Sequence, residues 1–103
     1  MAGRFERALK ELEETGTTQL RGCGNSMTPI IPNKALLTIK VQDDYEVGDA
    51  VMCKVRGNWY EGHKVLAKND KRGYLIGNNH GHTNGWTKRI YGKVVGIEPK
   101  RKN

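Results

Sequence analysis

The sequence has little of what staples or anchors many small proteins. Its 103 residues include two cysteines, Cys23 and Cys53, with no Cys-x-x-Cys pair. That excludes the disulfide framework of a small secreted domain and argues against a structural zinc site. No apolar run approaches the roughly eighteen residues needed to span a bilayer. The N-terminal stretch carries Arg4, Glu6, Arg7 and Glu11, unlike a signal peptide. These absences predict a cytoplasmic protein without a membrane anchor. Phenylalanine occurs once, no block of five or six like charges is present, and neither a repeat nor a linker divides the chain.

What is present suits one small globular domain with a modest core. Hydrophobic residues make up 36% and charged residues 28%, a balance that argues against disorder. Thirteen glycines beside a single phenylalanine point to a turn-rich β protein. The net charge of +7 fits a nucleic acid or acidic partner, or solubility plus the basic tail Lys100, Arg101 and Lys102. The excess is spread along the chain, which favours the second explanation.

Phe5, Ala8, Leu9 and Leu12 recur at i, i+3, i+4 and i+7, predicting a short helix over 4–14 that Gly16 stops. Alternating and β-branched runs predict strands at 17–21, 35–41, 50–55, 59–67, 74–76 and 88–97, with 77–85 as a loop. The division is an N-terminal helix over 1–16 and a β domain over 17–103. Five or six short strands predict a small, bent antiparallel β domain or partial barrel.

The stretch 22–29, Gly-Cys-Gly-Asn-Ser-Met-Thr-Pro, places Ser26 between permissive glycines and the stiff Pro29 and Pro32. It predicts an exposed turn presenting a hydroxyl. A serine in a turn also serves simple turn chemistry. A serine becomes a nucleophile only when a base takes its proton, and Tyr60-Glu61-Gly62-His63-Lys64-Val65 offers His63 or Lys64. Neighbours on a strand point to opposite faces, so only one of the two can face Ser26. Histidine is poised near neutral pH, whereas lysine must first be desolvated. His80 and His82, with His63, offer three nitrogen ligands, but the spacing is weak and neither a metal nor a cofactor is assigned. Trp59, Tyr60, Tyr74, Trp86 and Tyr91 among lysines and arginines suit either core and groove walls or a nucleic-acid stacking surface.

Gly24-x-Ser26-Met27-x-Pro29, then Gly48-Asp49, His63-Lys64-Val65 and Gly92-Lys93-Val94-Val95, in that order, resemble the LexA/UmuD and signal-peptidase superfamily of serine proteases. The resemblance covers roughly 17–97. It implies a soluble serine peptidase that cleaves peptide bonds in a peptide or protein substrate through a Ser-His or Ser-Lys dyad. Ser26 is then the nucleophile, His63 the base with Lys64 as its alternative, and Met27 and Pro29 line the substrate groove. Histidine-type relatives orient the base with an aspartate; here Asn78, Asn79 and Asn84 occupy the matching loop. An amide orients an imidazole but does not stabilise the imidazolium as a carboxylate does. The alternative is therefore a catalytically degenerate peptidase fold that binds nucleic acid or a protein partner. LexA-like relatives commonly form homodimers. They also cut themselves at Ala-Gly or Cys-Gly; here Ala2-Gly3 would release almost nothing, and Cys23-Gly24 lies too close to Ser26 to reach it.

Overall fold

The computed structural model describes residues 3–22, 24 and 27–99. Helix α1 spans Arg4–Thr15. Its apolar stripe buries Ala8 and Leu12, and Gly16 closes it in the left-handed region at φ 81°. There the Gly16 N–H donates to the Leu12 carbonyl at 2.8 Å, a conformation glycine adopts without penalty. Seven strands follow: β1 (Thr17–Arg21), β2 (Leu36–Lys40), β3 (Ala50–Val55), β4 (Asn58–Asn69), β5 (Gly73–Gly77), β6 (Thr83–Thr87) and β7 (Ile90–Glu98).

They form one antiparallel sheet in the order β1-β2-β7-β3-β4-β5-β6. The expected mainly β fold with an N-terminal helix is the observed one. The strand count is one higher than the sequence pattern indicates, because Thr83–Thr87, falling partly in the expected loop 77–85, is a strand. Asn84 and Gly85 are poor strand formers. The segment is held instead by its ladder to β5, where Tyr74 pairs with Thr87 and Leu75 with Trp86.

The sheet stays open at its ends but bends strongly. Register shifts interrupt the β3–β4, β4–β5 and β5–β6 ladders, and each bulge adds local twist and bend. The bend carries β6 over β3, where the Thr87 hydroxyl donates to the Lys54 carbonyl at 2.6 Å. Two cores result. The first, with Leu12, Met27, Ile31, Leu37, Ile39 and Met52, lies between the sheet, α1 and the 27–31 turn. The second, with Tyr45, Val51, Cys53, Val55, Val65 and Ile76, lies inside the bend. Burying a side chain such as Leu37 or Ile76 stabilises the fold by about 1.5–3 kcal/mol. β7 joins the halves by pairing with β2 and β3. Trp59 and Tyr91 pack against the first core, Tyr60 and Tyr74 against the second. No helix among the described residues is long and apolar enough to cross a membrane.

Candidate functional site

The site forms where Gly22, Gly24 and the 27–32 segment meet the middle of β4. A small, half-open cleft lies there, walled by Gly22, Gly24, Met27, Ile31, Pro32, Leu37, Glu61, Gly62 and His63. Ser26, with Cys23 and Asn25, lies outside the described residues, as do the bonds Ala2-Gly3 and Cys23-Gly24. Its flanking neighbours in the described chain, Gly24 and Met27, both line the cleft. The Gly24 N–H donates to Asn33 Oδ1 at 2.8 Å. Met27 is buried at the cleft floor as part of the first core. Pro29 is exposed beyond a cis Thr28–Pro29 bond, and Pro32 stands in the cleft wall.

His63 is placed by strand irregularities. In the β3–β4 ladder Val51 pairs with His63 and Cys53 with Tyr60, so β4 carries one more residue than β3 over that interval. Gly62 supplies clearance: an added Cβ would stand 3.0 Å from Ile31 Cδ1 and 3.2 Å from Leu37 Cδ1. Lys64, paired with Ala50 and Gly77 in its two ladders, leaves the opposite face of the strand from His63.

A second bulge brings in the histidine's partner. Ile76 pairs with Gly85 and Gly77 with Thr83, leaving Asn84 as the extra residue of β6. Its Oδ1 lies 2.8 Å from His63 Nδ1. With the amide oxygen accepting, Nδ1 carries the proton and Nε2 is the basic nitrogen. The Tyr60 ring packs against the imidazole with centroids 4.4 Å apart. Burial lowers the His63 pKa below its ordinary value, the Asn84 hydrogen bond and the Glu61 carboxylate raise it, and His82 lowers it. Burial prevails, so the imidazole is neutral at neutral pH and competent to accept a proton.

The other two asparagines hold the surrounding loops. Asn78 Oδ1 accepts from the backbone N–H groups of His80 (2.8 Å) and His82 (2.9 Å). Asn79 Nδ2 donates to the Thr28 carbonyl at 3.0 Å, and His80 Nε2 lies 3.1 Å from Thr28 Oγ1. The segment that leads to Asn84 thus also grips the serine turn two residues beyond Ser26. Among the described residues no group of three or more His, Cys, Asp or Glu side chains is arranged to hold a metal ion. Cys53 is buried, its thiol pushed up to about 12 by desolvation, so it is no competing nucleophile at neutral pH.

Sequence reasoning missed Glu61. Its carboxylate lines the cleft and meets Arg4 of α1 at 3.5 Å, while Arg4 Nη1 donates to the Arg21 carbonyl at 2.6 Å. The local sequence held no signal for this, because the irregularity beside Gly62 decides where Glu61 points. No curated protein matches the sequence. A model of the family described as Peptidase S24-like matches residues 4–95. That span includes the serine turn, all of β4 and the asparagine loop, and on it the chain belongs to the Peptidase S24-like family.

Proposed function

We propose that the chain is a serine peptidase cleaving peptide bonds by acyl transfer, with Ser26 as nucleophile and His63 as general base. The observation that carries this reading is the 2.8 Å contact between Asn84 Oδ1 and His63 Nδ1. It directs a basic Nε2 from a half-buried imidazole in the wall of the cleft that Gly24 and Met27 also line. The Ser26 hydroxyl attacks the substrate carbonyl carbon as His63 Nε2 takes its proton. The histidine then returns that proton to the leaving amine. Water, deprotonated by the same nitrogen, releases the acyl group. Backbone N–H groups of the serine turn serve the oxyanion. Asn84 orients the imidazole, and the Glu61 carboxylate supplies the charge that favours the imidazolium. Lys64 leaves the other face of β4 and takes no part.

The test is labelling by an active-site serine probe, read by mass spectrometry. Wild type and Lys64→Ala are expected to label; Ser26→Ala and His63→Ala are not. Loss of labelling in Lys64→Ala, with His63→Ala still labelled, would give the base to lysine. An unlabelled wild type would leave a peptidase fold that works by binding.

A further inference from the structure

Helix α1 does more than cover the first core. Together with β1 it walls an open groove, with Arg4, Arg7, Ala8 and Glu11 of the helix on one side and residues 18–21 of the strand on the other. The helical residues recur at i, i+3, i+4 and i+7, so they form one face. The strand residues are consecutive, so the groove meets the edge of β1 and not one of its faces. That edge is the end of the sheet. The Gly22 N–H donates to the Ala35 carbonyl, and the Val41 N–H to the Gly16 carbonyl. In the antiparallel register this turns the backbone groups of Thr18 and Leu20 toward β2, and those of Thr17, Gln19 and Arg21 outward. Two of the outward carbonyls have donors from α1: Thr15 Oγ1 reaches Thr17 at 2.8 Å, and Arg4 Nη1 reaches Arg21 at 2.6 Å. Helix and strand therefore run antiparallel, with Arg4 beside Arg21. Between these two contacts Gln19 offers its N–H and carbonyl to an added strand.

The groove runs into the cleft, because Arg21 is followed by Gly22 in the cleft wall. Its cations differ in what holds them. Arg4 meets Glu61 at 3.5 Å as well as the Arg21 carbonyl, and Arg21 Nη1 donates to the Lys34 carbonyl at 2.6 Å. Arg7, one turn further along α1, is exposed, and among the described residues it is in no ion pair. A helix rises about 1.5 Å per residue and a strand about 3.3 Å, so Arg7 stands level with Gln19 or Leu20. We propose, resting on the peptidase reading, that Arg7 is a specificity residue of the site. It selects a polypeptide that lies extended along Gln19 and carries an acidic side chain a few residues from the bond to be cut. Glu11 repels such a side chain one helical turn beyond, so charge fixes its position as well as its affinity. An oligonucleotide is the poorer fit. It would carry further phosphates past Glu11, and its backbone does not match the N–H and carbonyl of Gln19.

Fluorescence anisotropy of short labelled peptides on the full-length Ser26→Ala chain tests it. Each peptide carries a single aspartate, moved along an otherwise neutral sequence, and its control has asparagine there. Over a narrow range of positions aspartate is expected to bind about two- to fivefold more tightly than asparagine, on the scale of an exposed ion pair, with the gain fading as salt rises. Arg7→Ala should make the two peptides bind alike, and Arg7→Glu should invert the preference toward lysine. Lys10→Ala, which removes an exposed helix cation outside the groove, should retain it. Absence of binding at low salt, no favoured position, a preference that survives Arg7→Ala, or displacement by an oligothymidylate as effective as by the aspartate peptide would overturn the inference. Binding is read without the nucleophile, so the two claims fail separately. A wild type that the serine probe does not label, with the charge preference intact, sinks the peptidase reading and upholds the groove. A labelled wild type whose Ser26→Ala form shows no preference removes the role of Arg7.

Discussion

The two halves of the sheet close their cores by different means. Around the second core, bent β-strands wrap Val51, Cys53, Val55, Val65 and Ile76 to within 1% of complete burial. Around the first, strands supply one wall only, and α1 with the 27–31 turn must cover the rest. A core that strands enclose is rigid, because backbone ladders and packing act together. A core capped by a turn leaves a seam, and here the seam is the cleft. His63 and Asn84 belong to the strand-enclosed half, and the 27–31 turn to the capped half. The difference teaches where precision comes from: His63, the proposed base, is set by two bulges in a ladder, and the 27–31 turn by a few polar contacts such as Asn79 to Thr28.

The strongest break of this comparison is His63→Ala. It should lower kcat/KM for peptide hydrolysis by about a thousandfold or more, on the scale seen when a catalytic base is removed, with little change in the unfolding midpoint. A large fall in stability would mean that His63 serves packing instead. Ile76→Ala should do the reverse. Deleting a fully buried side chain there should cost about 2–5 kcal/mol in urea unfolding, while the chains that remain folded keep their labelling rate. Asn84→Ala should lower kcat by about a hundredfold, within the range ascribed to acid–base positioning, whereas Asn84→Asp should restore it and raise the acid limb of the pH–rate profile, since a carboxylate favours the imidazolium. An unmoved acid limb in Asn84→Asp would remove Asn84 from the base.

Smaller effects sharpen the contrast. Asn79→Ala, which releases the turn's carbonyl at Thr28, should lower kcat by roughly tenfold and cost about 1 kcal/mol in stability; a change in KM alone would show that the contact shapes substrate binding. The smallest effect is on pH. Burial holds the folded His63 pKa below that of the unfolded chain, so the unfolded state takes up the proton first as pH falls. The native contribution is therefore intact above about pH 6.5 and is lost as pH falls through the lower folded value. Urea unfolding at acid and neutral pH should show less of that loss in His63→Gln than in wild type.

Much of the fold was legible in the sequence because it rests on local signals. The stripe Phe5, Ala8, Leu9 and Leu12 marks α1, and runs such as Leu36–Lys40 mark strands whose side chains alternate between core and solvent. Thr83–Thr87 was not legible as a strand, since its stability comes from pairing with β5 and not from its own residues. The candidate site divides in the same way. Ser26, His63 and the asparagine loop stand out as residue types in order along the chain. Which asparagine meets the imidazole does not, because Asn78, Asn79 and Asn84 have the same chemistry and differ only in where the backbone aims them.

By itself, then, the sequence determined the helix, most of the strands, the absence of a long apolar span and the order along the chain of Ser26, His63 and the asparagine loop. All of these follow from side-chain chemistry and short-range periodicity. Only the tertiary structure decided that Asn84 meets His63, that Glu61 joins the cleft, and that Arg72 lies over Trp86. Each depends on one extra residue in a ladder or on a strand crossing another far along the chain. A one-residue shift of register turns a side chain to the other face, and no local pattern records that choice.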